Sequence, residues 1–239
     1  MIKPSLIKTL ILIARPAAGK SEIIDYLSKL SNAEREQKYH LGNIIVLDDF
    51  PMLWTWFEED DILESMGYPR IHSTKDGYFM HQYLWDVLIK RLNLEHHKNV
   101  RDQGILENTI LIEFSRGTEH GGYSRALQLF DTDILAQAAI LYVSVPWEES
   151  LRKNRKRFNP DKPDSILEHA LSDQKLEILY RDDDWNTLSS GTSGFLEISE
   201  TRVPFVVFPN EDDVTSKLGL PFIQQMQQCF DILWKLYSG

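Results

Sequence analysis

The chain has 239 residues, 42% of them hydrophobic and 11% aromatic, enough to bury a substantial core in one α/β domain. Its formal net charge of −10 argues against a partner held through phosphate-backbone contacts, because nucleic-acid binders present a basic face. One cysteine, Cys229, excludes an internal disulfide, and no stretch approaches the roughly 20 apolar residues of a membrane span.

The first element is the run from Thr9 to Ala14, whose apolar stretch Leu10–Ile13 reads as a parallel strand covered on both faces. It empties into Arg15-Pro-Ala-Ala-Gly-Lys-Ser21, and Ile23, Ile24, Leu27 and Leu30 then repeat at helical spacing. A strand, a loop and a helix N-terminus in that order make an anion site. Amides from Ala17 to Ser21 suit phosphate oxygens, Lys20 suits the β and γ phosphates, and the Ser21 hydroxyl suits magnesium. The pattern G-x-x-x-x-G-K-[ST] is imperfect, because Ala14 stands at the first glycine position; a positive φ there would cost about 1 kcal/mol.

The run Asn43 to Leu47 reads as a second strand, ending in Asp48-Asp49-Phe50-Pro51. Two carboxylates at that strand end can orient a hydroxyl group, or Asp49 can cap the helix that follows. The next fifty residues are helical and rich in aromatics, among them Trp54, Trp56, Phe79 and Trp85, which suit either ring stacking or a core; Arg70 and Arg91 are available to an anion. Tyr83, Leu84, Val87, Leu88 and Leu92 form one helical stripe, and His96-His97 at its end reads as a cap rather than a metal site. A third strand, Thr109 to Phe114, leads into Glu113-Phe-Ser-Arg116-Gly117, where Glu113 and Arg116 form a structural pair or serve chemistry. A helical stripe over Ala126–Leu135 precedes a fourth strand, Ala138–Val145.

After it, Pro146 to Arg157 is a dense basic cluster in an acidic chain, with Arg152, Arg155 and Lys156 at i, i+3, i+4 spacing and Arg157 beside them. Such a face suits polyphosphate, or else is a solvated surface helix. Ser189–Gly194 reads as a loop and Val203–Phe208 as a fifth strand. Pro209-Asn210 follows, with Asp212 or Asp213 as the cap of a last helix striped by Phe222, Met226, Phe230 and Leu233. Strands alternating with helices imply a doubly wound parallel sheet, whose ligands bind beyond the carboxyl ends of the strands.

Pro16, Gly19, Lys20 and Ser21 give the chain a resemblance to the P-loop small-molecule kinases of the adenylate-kinase-like and nucleoside-kinase-like group, whose loop often reads G-x-P-G-x-G-K-S; Ala14 and Ala17 depart from it. The resemblance implies a three-layer α/β/α domain spanning 1–239 with a parallel five-stranded sheet of order 2-3-1-4-5. It further implies a helical acceptor-binding elaboration over 50–100 and a lid with its following helix over 146–196. ATP would be held by Arg15, Pro16, Ala17, Ala18, Gly19, Lys20 and Ser21, with Arg157 and Asn210, and Mg2+ by Ser21 and Glu113. The catalytic set would be Lys20, Asp48, Asp49, Glu113, Arg116, Arg152 and Arg155.

The implied activity is ATP-dependent phosphoryl transfer to a nucleoside, nucleotide or similar metabolite. The alternative is a nucleotide-binding switch without an acceptor, for which Ala14 and Ala17 speak. Partners would be ATP and the acceptor, with no nucleic acid or membrane, and a homodimer is compatible with the sequence. The lone cysteine and a start, Met1-Ile-Lys-Pro-Ser5, that does not read as a signal peptide point to the cytoplasm.

Overall fold

A computed structural model, which describes residues 5–157 and 171–239, alternates strands and helices along the chain. β1 (Thr9–Ala14) leads into α1 (Lys20–Lys29) and α2 (Asn32–Tyr39), and β2 (Asn43–Asp48) into α3 (Phe50–Ser65) and α4 (Tyr83–Gln103). β3 (Asn108–Phe114) is followed by α5 (Gly122–Gln128) and α6 (Thr132–Leu135). β4 (Ala138–Ser144) is followed by α7 (Trp147–Arg157), α8 (Asp173–Tyr180) and α9 (Trp185–Leu188). β5 (Ser193–Ile198), β6 (Thr201–Pro209), α10 (Val214–Lys217) and α11 (Leu220–Ser238) end the order. The expected lid over 146–196 therefore falls partly on residues 158–170, which lie outside the described residues.

The sheet runs β2-β3-β1-β4-β6-β5, so the five parallel strands expected from sequence are present and a sixth, antiparallel strand is added at the edge. This corrects the five-stranded expectation, and Ser193 and Gly194 belong to β5 rather than to a loop. β5 buries Leu196 and Ile198 and exposes Glu197, the alternation of a half-covered strand. It joins β6 through Ser199-Glu200, both at positive φ (46° and 66°), the backbone of a tight hairpin without its usual Asn-Gly signature. The stripe over Ala126–Leu135 is likewise two short helices, interrupted before Asp131, the N-cap of α6.

Side chains alternate across β1 and build a core on each face. Ile11 and Ile13 join Ile110, Ile112, Phe114 and Trp185 on one side, while Leu10 and Leu12 join Ile23, Leu27, Phe222 and Phe230 on the other. His96 is not a cap: it lies buried within α4, its Nε2 3.0 Å from Thr9 Oγ1, and burial pushes its pKa down to about 4. The exposed His97 sits between Asp131 and Asp133. On α4, Tyr83 and Val87 are exposed while Leu84, Trp85, Leu88, Ile89 and Leu92 are buried.

At the far end of α1, the buried Arg35 donates to the carbonyls of Leu27 (3.1 Å) and Leu30 (2.7 Å), and also to that of Gly42 (3.1 Å). It satisfies carbonyls that the helix C-terminus leaves without intrahelical partners.

Candidate functional site

The carboxyl ends of β1, β2 and β3 open onto a cavity of about 400 Å³, in the size range of small-ligand sites. Its floor is the loop after β1. Ala14 is fully buried in regular strand geometry, so its side chain costs nothing; the positive φ falls instead on Ala17 (57°) and Gly19 (109°). Only Gly19 fits there, because an added Cβ would stand 2.5 Å from Thr215 Oγ1 and 2.8 Å from Asn210 Nδ2.

Lys20, the first residue of α1, is 7% exposed and extends into the cavity, donating to Ser115 Oγ at 2.8 Å and to the carbonyl of Arg15 at 3.4 Å. Its Nζ lies 3.7 Å from Glu113 Oε1. Burial holds the ammonium below its ordinary pKa and pushes the Glu113 carboxyl above its own, with their mutual attraction opposing both shifts. Ser21 is exposed, and its hydroxyl accepts from Arg157 at 3.4 Å.

Register brings the acids together, since Asp48 on β2 pairs with Glu113 on β3. Burial, reinforced by the charges of Glu113 and Asp49, pushes Asp48 up to about 7. Its Oδ1 accepts from the Phe50 amide at 2.9 Å, so Asp48 supplies the helix-start bond expected of Asp49. Asp49 instead pairs with Arg116, 2.6 Å from Oδ2 to Nη1, and both are buried. The expected Glu113–Arg116 pair is not what forms. Arg116 also donates to the Ser115 carbonyl at 2.7 Å, and its guanidinium carbon lies 5.0 Å from the Trp85 ring centroid and 5.4 Å from that of Phe114. Behind Trp85, His120 stacks at 3.8 Å; burial and Arg116 push its pKa down to about 3, so it is neutral.

No protein-family model matches the chain, and no curated protein matches it. Among solved structures it is similar to a ParA family ATPase from Chlorobium tepidum TLS, at 11% identity over 98% of this chain and 97% of that one, with a TM-score of 0.30. A superposition that loose leaves function to the residues of the site. Among the described residues, no helix is long and apolar enough to cross a membrane.

The cavity gathers Pro16, Ala17, Gly19, Lys20 and Ser21 from the loop, Asp48, Asp49, Glu113 and Arg116 from the strand ends, and Arg152 and Arg157 from α7. Four expected residues do not line it. Arg15 points away, donating to the carbonyls of Val145, Tyr180 and Arg181 and pairing with Asp183 at 2.9 Å. The Ala18 carbonyl accepts from Asn210 Nδ2 at 2.8 Å, so Ala18 and Asn210 brace the loop from behind, with Asn210 also held by Thr215. Arg155 turns outward to Asp173, at 2.6 Å. Arg152 is at the wall but held by Glu149 (2.6 Å) and Asp213 (3.0 Å).

Sequence reasoning missed Ser115, Lys153, Tyr180 and Asp213, which also line the cavity. Lys153 is 7% exposed and ion-paired to Asp213, with Thr215 Oγ1 at 3.3 Å. The pairing joins α7 to the segment after β6, and no local signal in a run of alternating charges marks Lys153 as the buried one. Asp213 begins α10 without a side-chain bond to its backbone, so the cap expected there is an ion-pair acceptor instead. Of the aromatics between β2 and β3, Phe50 and Trp85 reach the cavity; Trp56 stacks on His72, and Arg70 is held by Asp61 and Glu64.

Proposed function

We propose that this chain is an ATP-dependent phosphotransferase acting on a hydroxyl group of a small molecule. The observation that carries the reading is the meeting, in one cavity, of a helix-start lysine in a phosphate-type loop with two neighbouring carboxyls, one of them poised near neutrality. A hydrolytic switch also needs the first of these features; the second supplies a group that can take a proton from an acceptor hydroxyl near pH 7, as transfer requires.

In this reading the amides from Ala17 to Ser21 and the α1 N-terminus hold the donor phosphates, and Lys20 exchanges Ser115 for a phosphate oxygen. Asp48 orients the acceptor hydroxyl and receives its proton, while Arg116 fixes Asp49 and the aromatic wall instead of touching phosphate. Lys156 and Arg157 at the rim neutralise charge on the departing ADP. The Ser21 hydroxyl and the Glu113 carboxylate are hard oxygen donors that fit Mg2+. That ion, when bound, offsets charge on the β and γ phosphates. Residues 50–100 supply the acceptor side and α7 the donor side.

The test is ADP formation from MgATP against pooled nucleosides, nucleoside monophosphates and sugars, with wild type and Lys20→Met in parallel. Acceptor-dependent ADP, reduced about 10³-fold in a variant whose melting profile matches wild type, is expected. ADP release that no pool stimulates would replace the phosphotransferase with a nucleotide switch.

A further inference from the structure

The charge of the acceptor can be read from the same cavity, on the basis of the phosphotransferase reading above. Where β2 and β3 end, three carboxyls meet: Asp48 and Glu113 are register partners, and Asp49 follows Asp48. The guanidinium among them, Arg116, is already engaged. It lies 2.6 Å from Asp49, donates to the carbonyls of Ser115 and Trp85, is covered by the Trp85 and Phe114 rings, and is 2% exposed. Lys20 serves the donor phosphates. Among the described residues, the other cations lining the cavity, Arg152, Lys153, Lys156 and Arg157, all stand on α7, and Arg157 acts on Glu113 and Ser21, the pair given to the donor's metal. That helix follows β4 and is tied through Lys153 to the segment after β6, on the other side of β1 from β2 and β3.

We propose that the acceptor is an uncharged hydroxyl compound, and that the site rejects phosphate esters and carboxylates by repulsion. A phosphomonoester carries about −1.5 to −2 charges at neutral pH and would have to shed water beside Asp48 and Glu113, while Arg116, the guanidinium nearest to it, is already held by Asp49. A neutral alcohol donates its O–H to Asp48, and its apolar body meets Phe50, Leu53 and Tyr180. In the step itself, the acceptor oxygen bonds to the γ phosphorus as the bond from that phosphorus to the β–γ bridging oxygen breaks. The electron pair leaves on ADP and the proton passes to the Asp48 carboxylate. Selectivity built from an unfavourable contact is a general device for discrimination.

The experiment compares matched acceptors, a nucleoside with its monophosphate and a hexose with its phosphate ester, in MgATP with wild type, Lys20→Met and Asp49→Asn. The neutral member of a productive pair is expected to exceed its ester by about a hundred-fold in kcat/KM, and Lys20→Met to remove both activities. Asp49→Asn releases Arg116 and is expected to narrow the ratio about ten-fold by raising turnover of the ester. This is a gain that an unfolded variant cannot imitate. An ester that equals or beats its neutral partner in Lys20-dependent transfer overturns the inference and leaves the phosphotransferase reading intact. A folded Asp49→Asn with an unchanged ratio overturns the role given to the engaged guanidinium. Absence of transfer to every pair, alongside Lys20-dependent ATP binding, overturns the phosphotransferase reading and the inference with it.

Discussion

Replacing Asp48 with asparagine should make the protein more stable while ending its proposed chemistry, and the gain should grow with pH. Asp48 has its pKa raised from 3.8 to about 7 by burial and by the charges of Glu113 and Asp49. An acid raised in the folded state is ionised more readily in the unfolded chain, so its cost is absent below pH 3.8, accumulates as pH rises, and is complete above about 7. At 1.36 kcal/mol per unit, that cost is about 2 kcal/mol at pH 5 and about 4 kcal/mol at pH 8. Asparagine has the same shape, carries no charge, and keeps an oxygen for the Phe50 amide that Asp48 now caps at 2.9 Å. Urea unfolding of both proteins at pH 5 and pH 8 measures the difference directly, provided the slopes agree. A variant less stable than wild type at pH 8, or a difference that does not widen between the two pH values, would refute the electrostatic account of Asp48.

Gly19→Ala should destabilise by about 2 kcal/mol or more and weaken ATP binding, because the new Cβ meets Thr215 and Asn210 at a left-handed backbone; thermal melts and nucleotide titration check both. Arg116→Ala should cost about 3–5 kcal/mol by leaving Asp49 buried without its counter-ion, and Asp49→Asn in the same chain should restore part of it, as a double-mutant cycle would show. Arg155→Ala, by contrast, should leave both the melting midpoint and transfer unchanged, since its pairing with Asp173 is an exposed surface contact away from the cavity; reduced transfer would return Arg155 to the site.

Most of what was legible in the sequence is local. Uninterrupted apolar runs marked all five parallel strands, the inner ones because both faces of the sheet are covered there and the edge strand β2 although Val46 is exposed, and the strand ends then located Lys20, Asp48, Asp49 and Glu113 around one cavity. β5 was hidden because its hairpin places Ser199 and Glu200, rather than glycine or asparagine, at positive φ. Pairings were the less legible part. Asp49 meets Arg116, and Lys153 meets Asp213, only after strand register and sheet order bring distant segments together. On α7, spacing identifies which charges share a face but not which face turns inward, and burial chose Lys153 over Arg155. Arg15 was misread for the same reason: its partners at Val145, Tyr180 and Arg181 lie far along the chain.

Arg35 gives the phosphate-facing helix an unusual electrical circuit. The negative pole of α1, about 15 Å from Lys20 by helical rise, is answered inside the protein by a guanidinium and not by water. Unlike a mobile ion, the buried Arg35 guanidinium stays at that pole whatever the salt concentration. The positive pole therefore faces the cavity with its opposite already compensated, which makes the pull of α1 on an anion a property of the fold more than of the medium. A residue that touches no ligand would in this way share in setting how firmly one is held.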